Sequence, residues 1–431
     1  MQVYELPYIE KISEELLEEK PIRSREIDFN NPYYTQPKSV GGKTDLSSLE
    51  NKLRGSRIDH LYVHVPYCKA KCFYCNYPRE AKMPSLEEQD ATLDSLEREL
   101  DFYENLTDLS GLKTVHIGGG TPNILDHEHF ERLLELCVRR RKPQDEYAVE
   151  LYPSPSMLDE KKFELLRRYG ADRLSIGIQT FDTEINLANN RIEQEEETVK
   201  SLIRSAMEKF SNISVDLLYG QKKQFLNDFQ ADLEKTADMG VHSVYLYQTR
   251  ELIKKRSGEL QQALNLFLTY FASRGYEIVS FDQAIRKRNS SGFCRHRGGR
   301  GKNESLLGIG PGSVTEIDHL IFKNKGPGDY QGEASLGNID PDSIVFKTDD
   351  VFRREYFNRS LRHFSRPDVD GLYRPDYLEK FQSDVMDDFG DIVRFLEDKE
   401  LVKISPDRVE ITDVGMLFTQ HINYLLLEHY K

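Results

Sequence analysis

The sequence predicts an α/β fold: an open or partial parallel barrel of the (β/α)6 type. Between His60 and about Ser280, short apolar runs rich in β-forming residues alternate with longer segments whose apolar residues recur every three or four positions. Strand and helix in this alternation form right-handed βαβ units and a parallel sheet. About six units can be counted, which are too few for a closed eight-fold barrel.

The predicted strands are short and evenly distributed along this region. They are His60–Val65, Leu112–Ile117, Tyr147–Tyr152, Arg173–Ile178, Ile213–Leu218, Ser243–Tyr247 and Tyr276–Ser280. Helical spacing between them is clearest in two apolar sets: Phe130, Leu133, Leu134 and Cys137, and then Phe229, Leu233 and Ala237.

The ends of the chain have a different character, and we expect three parts. Residues 1–58 contain turn signals and little periodicity, which indicates an N-terminal extension. Residues 59–325 form the barrel and a late glycine segment, and the run Lys325–Asp329 is the expected linker. Residues 326–431 are mainly helical, with two short apolar runs at 401–404 and 408–411, an order typical of a winged-helix-like accessory domain.

Composition excludes several classes of protein. The 431 residues include 59 Lys and Arg against 73 Asp and Glu, a net charge of −14, which argues against nucleic acid as a partner. No run approaches the roughly 20 apolar residues of a membrane helix, and the acidic start lacks the pattern of a signal peptide. We therefore expect a cytoplasmic protein with no membrane partner.

Three of the five cysteines crowd into one short segment. Cys68, Cys72 and Cys75 have the spacing C-x3-C-x2-C and directly follow the first predicted strand. Three thiolates on one loop can bind three irons of a [4Fe–4S] cluster and leave the fourth iron open. A zinc site would need a fourth ligand, for which His64 is the nearby candidate, and structural thiols are the remaining alternative.

With this cysteine motif the chain resembles the radical S-adenosylmethionine (SAM) enzymes, within the HemN-like branch of oxygen-independent coproporphyrinogen III oxidase. The resemblance spans roughly Tyr62 to Ser313 and, more weakly, the C-terminal part. Its other motifs are Gly118-Gly-Gly-Thr-Pro122, Val149-Glu-Leu-Tyr-Pro153, Ser175-Ile-Gly-Ile-Gln-Thr-Phe181 and Ser214-Val-Asp-Leu-Leu-Tyr-Gly220. It implies an enzyme that reductively cleaves SAM at the cluster to give a 5′-deoxyadenosyl radical.

The resemblance also implies which residues bind SAM. The glycine segment would bind the methionyl amine, Gln179 and Arg191 the carboxylate, and Asp216 the ribose, while Tyr74 would pack on adenine. The full set is Tyr62, Tyr74, Gly119, Gly120, Thr121, Glu150, Gln179, Arg191 and Asp216. Taken singly, each has an ordinary structural interpretation, such as a turn, a rim charge or a helix cap. Most of them follow successive predicted strands, however, and that is where parallel α/β barrels assemble their sites.

One departure from the family pattern bears on the reaction. The coproporphyrinogen oxidases of this branch have a fourth cysteine two residues after the third, and this chain has Tyr77 there. The missing fourth cysteine and the long N-terminal extension together favour carbon transfer of the class C type. In that reaction a methyl or methylene group is added to an unsaturated or heteroaromatic small molecule. Tetrapyrrole chemistry, either porphyrinogen oxidation or heme degradation, is the alternative, and a heme carrier without turnover is a third.

Three further features complete the expectations. Gly308–Ser313 resembles a family segment that shapes the substrate pocket or a second SAM site, although a simple turn explains it equally well. Residues 286–302 hold seven basic residues and no acid, either to attract an anionic substrate or as a solvated loop. Within them Cys294 is the candidate catalytic thiol. We also expect a flavodoxin- or ferredoxin-type electron donor and a monomer.

Overall fold

The computed structural model describes residue 12 and residues 46–138, 143–249, 257–286, 304–363 and 371–427. Seventeen strands lie in these ranges: β1 His60–Val65, β2 Tyr67–Cys68, β3 Glu80–Ala81, β4 Thr114–Gly119, β5 Glu146–Leu151, β6 Arg173–Gln179, β7 Asn212–Tyr219, β8 Ser243–Gln248, β9 Tyr276–Ser280, β10 Gln283–Arg286, β11 Leu306–Ile309, β12 Val314–Ile317, β13 Leu320–Lys323, β14 Val345–Phe346, β15 Leu372–Tyr373, β16 Val402–Ile404 and β17 Arg408–Ile411.

The α-helices of the described ranges alternate with the first strands and then dominate the C-terminal part. They are α1 Leu46–Leu53, α2 Leu86–Leu106, α3 His127–Val138, α4 Glu160–Arg168, α5 Thr183–Ala188, α6 Glu196–Lys209, α7 Leu226–Met239, α8 Ser257–Ser273, α9 Asp349–His363, α10 Arg374–Phe381, α11 Val385–Asp398, α12 Asp413–Leu417 and α13 Thr419–Leu427. None of these helices is both long enough and apolar enough to cross a membrane.

Twelve strands form one open sheet, which confirms the predicted partial barrel. Their order is β14-β13-β12-β11-β1-β4-β5-β6-β7-β8-β10-β9. Within this order, the seven strands from β11 to β8 run parallel to one another. Each crossover from β1 to β8 passes through at least one helix, as parallel neighbours require. The carboxyl ends of these strands therefore meet along one edge.

Local signals in the sequence set the helix boundaries. At the start of α2, the Ser85 hydroxyl accepts the Glu88 N–H (3.2 Å) while the Glu88 carboxylate accepts the Ser85 N–H (2.9 Å), a reciprocal capping box. Asp159 and Asp182 cap α4 and α5 in the same position. At the end of α7, Gly240 has a φ of +68°, the left-handed conformation that glycine adopts without strain.

Both edges of the sheet differ from the expected pattern of successive parallel units. Strand β9 has the predicted bounds, but β10 lies between it and β8 and pairs antiparallel with both. Only Phe281 and Asp282 separate β9 from β10, and a two-residue link can join antiparallel neighbours only. On the other side, β11 contains Gly308, so the late glycine segment supplies a strand next to β1 as well as a turn.

The C-terminal residues combine helices with a small three-stranded sheet, β15-β17-β16, in the expected helix and hairpin order. Strand β14 lies beyond residue 325 and still pairs with β13 of the large sheet. Helix α9 joins the same sheet through a buried ion network. There Lys347 Nζ lies 2.6 Å from Glu316 and 2.5 Å from Glu355, and Arg359 lies 2.6 Å from Glu316. The division at residue 325 stays a prediction.

A buried carboxylate fixes the glycine segment to α2. Glu99 is fully buried, and its oxygens accept hydrogen bonds from the Gly310 N–H (2.7 Å), the Asn324 amide (2.6 Å) and the Tyr330 hydroxyl (2.5 Å). Burial is the largest influence on this group and raises its pKa from 4.5 to about 7, against the opposing effect of the three donors.

We predict that this carboxyl group makes folding depend on pH. Between about pH 4.5 and about pH 7 the folded protein keeps a proton that the unfolded chain has released, so the free energy of unfolding falls as pH rises through this window. Glu99→Gln removes the titration. Urea unfolding of both proteins should show the parent losing up to about 3 kcal/mol more than the variant between pH 5 and pH 8. Parallel losses in the two proteins would contradict the prediction.

Candidate active site

Partly exposed residues occur at corresponding places on otherwise buried strands. Strands β1, β5 and β7 each have one such residue, and β4 and β6 have two each: Tyr62, Glu150, Asp216, His116, Gly119, Gly177 and Gln179. The register pairs Tyr62 with His116 and Gly177 with Asp216. Parallel barrels use such positions near the carboxyl ends of strands to line their sites.

Glu150 connects β5 to β4. Its Oε1 lies 2.9 Å from His116 Nε2, and its Oε2 accepts the Gly119 N–H at 3.3 Å. A Cβ at Gly118 would lie 2.6 Å from the Glu150 carboxyl carbon, so a larger residue there would displace the carboxylate. The ring of Tyr62 lies 5.9 Å from that of His116. Burial, followed by the charge of Glu150, raises the pKa of Tyr62.

The glycine turn packs directly on the segment that carries the cysteines. Gly119 has a φ of +111°, and a Cβ at Gly120 would lie 2.4 Å from the carbonyl oxygen of Tyr67. Glycine is needed for both the conformation and the close approach. The next residue, Thr121, donates from its hydroxyl to Cys68 Sγ at 3.5 Å. The turn and the cysteine loop thus form a single unit.

The cysteine loop extends from Cys68 to Arg79 and is closed by the short pair β2 and β3. Within it the Cys75 N–H donates to the Cys72 carbonyl (3.1 Å), and Arg79 Nη2 donates to the Cys75 carbonyl (2.9 Å). All three cysteines are free thiols. Burial raises the pKa of Cys68 and of Cys75, so binding of a metal or cluster there must release protons.

His64 already has a partner at each ring nitrogen. Its Nε2 lies 2.8 Å from the Pro78 carbonyl oxygen, and its Nδ1 lies 3.2 Å from the Tyr62 hydroxyl. Burial lowers its pKa, with smaller opposing effects from Pro78 and Glu150. A role as fourth zinc ligand would require His64 to give up one of these two contacts. Over the described ranges, no group of three or more His, Cys, Asp or Glu side chains is placed to hold a single metal ion.

Arg191 connects strand β6 to the cysteine loop. Its guanidinium is buried, and it donates to the Gly177 carbonyl, to Gln194 Oε1 (2.8 Å) and towards Cys72 Sγ (3.7 Å). The same group lies 4.3 Å from the centre of the Tyr152 ring, a cation–π contact. Arginine suits this position because its planar fork can donate to several acceptors at once.

Two hydrogen bonds, one between backbone groups and one from a side-chain amide, hold the cysteine loop against the segment before Arg191. The Phe73 N–H donates to the Asn189 carbonyl (3.0 Å), and the Asn190 amide donates to the Lys71 carbonyl (2.9 Å). Lys69 forms an ion pair with Glu193, which also accepts from Ser154 and Ser156 at 2.6 Å. These hydrogen bonds, that of Lys69 first, lower the pKa of Glu193 to about 2.

Three other residues expected to bind SAM are Asp216, Gln179 and Tyr74. Asp216 accepts the Ser175 hydroxyl at 3.0 and 3.2 Å. Gln179 follows a register shift in β6 and has a φ of +68°, unusual for a residue with a side chain, and such strain is concentrated at functional sites. Tyr74 lies within the loop with its hydroxyl buried, and burial raises its pKa.

The structure therefore connects several predicted residues by direct contacts and places others nearby. Direct contacts join Glu150 to Gly119, Thr121 to Cys68, and Arg191 to Cys72. Asp216 contacts Ser175, which the sequence analysis did not select. Cys137 is buried on α3, as expected. The candidate thiol Cys294 and all but the first residue of the basic segment lie outside the described residues.

Several contacting residues were missed by sequence reasoning. His116 touches Glu150, while Tyr152 and Gln194 touch Arg191. The alternation of strand residues could have found His116, because it lies two positions before Gly118 and hence on the same face of β4. Gln194 follows Arg191 by three residues in a loop, and no sequence periodicity marks that contact.

These residues suit a cluster and a SAM molecule. Three free thiols lie on one loop, a glycine turn presents its backbone beside them, and Glu150, Arg191 and Asp216 add charges of both signs nearby. SAM has an amine, ribose hydroxyls and a carboxylate. The amine and the hydroxyls need hydrogen-bond acceptors, and the carboxylate is well matched by the paired donors of a guanidinium group.

Comparison with known proteins places the site in context. The family model described as the radical SAM superfamily matches residues 62–236, which include the cysteine loop, most of β1 and strands β2 to β7. The heme chaperone HemW of Bacillus subtilis is 26% identical over 84% of this chain and 97% of its own length. The oxygen-independent coproporphyrinogen III oxidase of Escherichia coli is 25% identical over 84% of each chain.

A solved structure has the same fold over nearly the whole length. Coproporphyrinogen III oxidase (HemN) from Escherichia coli matches 90% of this chain and 93% of its own, with a TM-score of 0.70 and 22% identity. The similarity therefore extends beyond the barrel into the C-terminal helices and small sheet.

Proposed function

The chain is a HemN-like member of the radical SAM superfamily, which uses a [4Fe–4S] cluster and SAM, and we propose that Cys68, Cys72 and Cys75 bind this cluster. One observation supports this most strongly: Thr121, just after β4, and Arg191, just after α5, both direct a donor at a cysteine sulfur. Three thiolates leave one iron open for SAM. With SAM bound there, one-electron reduction supplies a 5′-deoxyadenosyl radical.

The protein's own residues would hold SAM in place for that step. The backbone of Gly119 and Gly120 would bind the methionyl amine, and Glu150 would also contact SAM. Arg191 and Gln179 hold the methionyl carboxylate, Asp216 accepts the ribose hydroxyls, and Tyr62 and Tyr74 complete the apolar walls. Because the guanidinium is buried and already fixed by Gly177 and Gln194, it binds with little loss of side-chain entropy.

We further propose that the substrate is a tetrapyrrole and that reduction depends on a flavodoxin- or ferredoxin-type donor. The names of the relatives support a tetrapyrrole, since one is a heme chaperone and the other acts on coproporphyrinogen III. Class C carbon transfer to an unsaturated small molecule is the second candidate. Tyr77 is the observation that favours it, because a 60% exposed tyrosine stands where the oxidases have a fourth cysteine.

Anaerobic turnover separates these proposals. Reconstituted protein is given SAM, reductant and either coproporphyrinogen III or heme. A tetrapyrrole substrate should increase 5′-deoxyadenosine formation, with CO2 release or loss of porphyrin absorbance. S-adenosylhomocysteine formed with a methyl- or methylene-bearing product would support carbon transfer instead. Stoichiometric heme binding without SAM cleavage would identify a carrier and contradict an enzymatic role.

Asp216 offers a separate test of SAM binding. Asp216→Ala removes the acceptor proposed for the ribose and should raise the KM for SAM by about 10- to 100-fold, as expected for hydrogen bonds to a charged group. The KM is measured from 5′-deoxyadenosine release under strong reductant. Asp238→Ala, at an exposed aspartate paired with Arg274, is the matched control and should not alter it. Equal KM values for all three proteins would remove Asp216 from the SAM site.

A further inference from the structure

Three large apolar side chains are exposed beside the cysteine loop. Phe73, between Cys72 and Tyr74, is 59% exposed, Leu187 near the end of α5 is 59% exposed, and Phe225 before α7 is 73% exposed. Single exposed apolar residues are common, but a group that shares one surface indicates an interaction site. Lys71, Lys222 and Lys223 are exposed on the same segments, and these six residues are named the loop patch here.

Hydrogen bonds hold the three segments of the loop patch together. The Phe73 N–H donates to the Asn189 carbonyl, and the Asn189 side chain bonds to Lys222, accepting its N–H (3.1 Å) and donating to its carbonyl (3.2 Å). Lys222 Nζ lies 4.3 Å from the centre of the Phe73 ring. The Asn190 N–H donates to the Leu187 carbonyl at 3.0 Å. The loop patch is therefore a defined surface in which apolar and basic groups alternate.

Its charge is opposite to that of the whole protein. The loop patch contains three lysines, whereas the whole chain has a net charge of −14. Of the neighbouring acids, Glu193 is paired with Lys69, the Asp228 carboxylate accepts the Phe225 N–H (2.8 Å), and Glu184 is exposed one turn before Leu187. A basic area on an acidic protein attracts an acidic partner and orients it during encounter.

We propose that the loop patch is the docking surface for a small acidic one-electron carrier protein, an inference that rests on the proposed function. Phe73 is exposed whereas its neighbour Cys72 is buried against Arg191, so the loop patch lies on the solvent side of the cysteine loop. A carrier docked there is separated from the cluster by the loop alone. One electron passes from the reduced carrier, which is oxidised by one electron, to the cluster, and no bond is formed or broken between the proteins.

The size and composition of the loop patch suit such a partner. Complexes for electron transfer are small and short-lived, and they combine a few apolar contacts with charges that increase the association rate. Two residues of the expected SAM site, Thr121 and Arg191, contact the cysteine sulfurs from the protein side, whereas Phe73 of the loop patch is exposed to solvent. Substrate can therefore occupy the barrel while the carrier docks outside it.

Charge reversal tests the proposal. Lys222→Glu combined with Lys223→Glu is compared with the parent protein for 5′-deoxyadenosine formation, driven either by reduced flavodoxin or by dithionite. The carrier-driven rate at low salt should fall on the order of 10-fold or more, and salt should weaken the parent's rate but not the variant's. The dithionite-driven rate should be unchanged, which also shows that the variant is folded. Lys161→Glu with Arg167→Glu, both exposed on α4, changes net charge equally and should leave both rates unaffected.

Other outcomes would overturn the inference. Equal losses in the patch variant and the α4 variant would show a general charge effect and no docking at the loop patch. A lower dithionite-driven rate only when tetrapyrrole is present would assign the loop patch to substrate binding. If dithionite fails to drive SAM cleavage in the parent protein, the proposed function itself fails, and that result is distinct from loss of the carrier-driven rate alone.

Discussion

Replacing Cys72 with alanine is expected to abolish SAM cleavage and to prevent the reconstituted protein from retaining a [4Fe–4S] cluster. Cys72 is the cysteine that Arg191 contacts, and it is the most buried of the three in the loop. With only Cys68 and Cys75 left, two irons would lack a protein ligand, and such a cluster is readily lost. Iron and sulfide content, the visible absorbance of the cluster and 5′-deoxyadenosine formation measure the effect.

Cys137 provides the matched control for this experiment. It is a free and buried cysteine on α3, and burial raises its pKa to about 12, so it is poorly suited to act as a ligand. Cys137→Ala should retain iron, sulfide and SAM cleavage at the parent level. Full activity in Cys72→Ala, or loss of the cluster in Cys137→Ala alone, would contradict the assignment of the cluster to the loop.

The second large effect is expected at Arg191. Arg191→Lys keeps the charge but replaces a planar fork by a single ammonium, which cannot reach Gly177, Gln194 and Cys72 together. We expect a loss of about 1 to 3 kcal/mol in the free energy of unfolding, because buried acceptors lose their donors. We also expect SAM cleavage to fall by about 10- to 100-fold, as is typical when support around a metal site is removed.

The exposed Arg168 serves as the control for this substitution. It forms a surface ion pair with Glu131, and such pairs contribute little to stability. Arg168→Lys should therefore leave unfolding and SAM cleavage unchanged. If Arg191→Lys behaves in the same way in both assays, the fork of Arg191 neither supports the cysteine loop nor binds the SAM carboxylate.

Much of the fold could be predicted because the sequence carries it in local patterns. Strands β1 and β9 have the predicted bounds, and turn-forming residues flank them: Pro66 follows β1 and Gly275 precedes β9. The cysteine spacing and the strand-end residues were sufficient to indicate the family. Glu150 lies one residue before the end of β5, whereas Asp216 lies three residues before the end of β7, and each is the one partly exposed residue of its strand.

What sequence reasoning missed depends on contacts between distant segments. The insertion of β10 between β8 and β9 is a pairing preference that no apolar period encodes. Nothing in the local sequence of helix α2 marks Glu99 as special. Its carboxylate nevertheless accepts hydrogen bonds from Gly310, Asn324 and Tyr330, which follow it by more than 200 residues. The left-handed conformation of Gln179 is likewise fixed by its neighbours in the folded sheet and not by its own preference.

The most direct test of the central claim uses the protein alone. Anaerobically reconstituted protein is reduced with dithionite and given SAM without any substrate, and 5′-deoxyadenosine and the electron paramagnetic resonance spectrum of the reduced cluster are recorded. We predict 5′-deoxyadenosine formation that depends on iron, together with a spectrum that changes when SAM is added. Protein that binds zinc in place of iron, or a reduced cluster whose spectrum SAM leaves unchanged while no 5′-deoxyadenosine forms, would contradict the account.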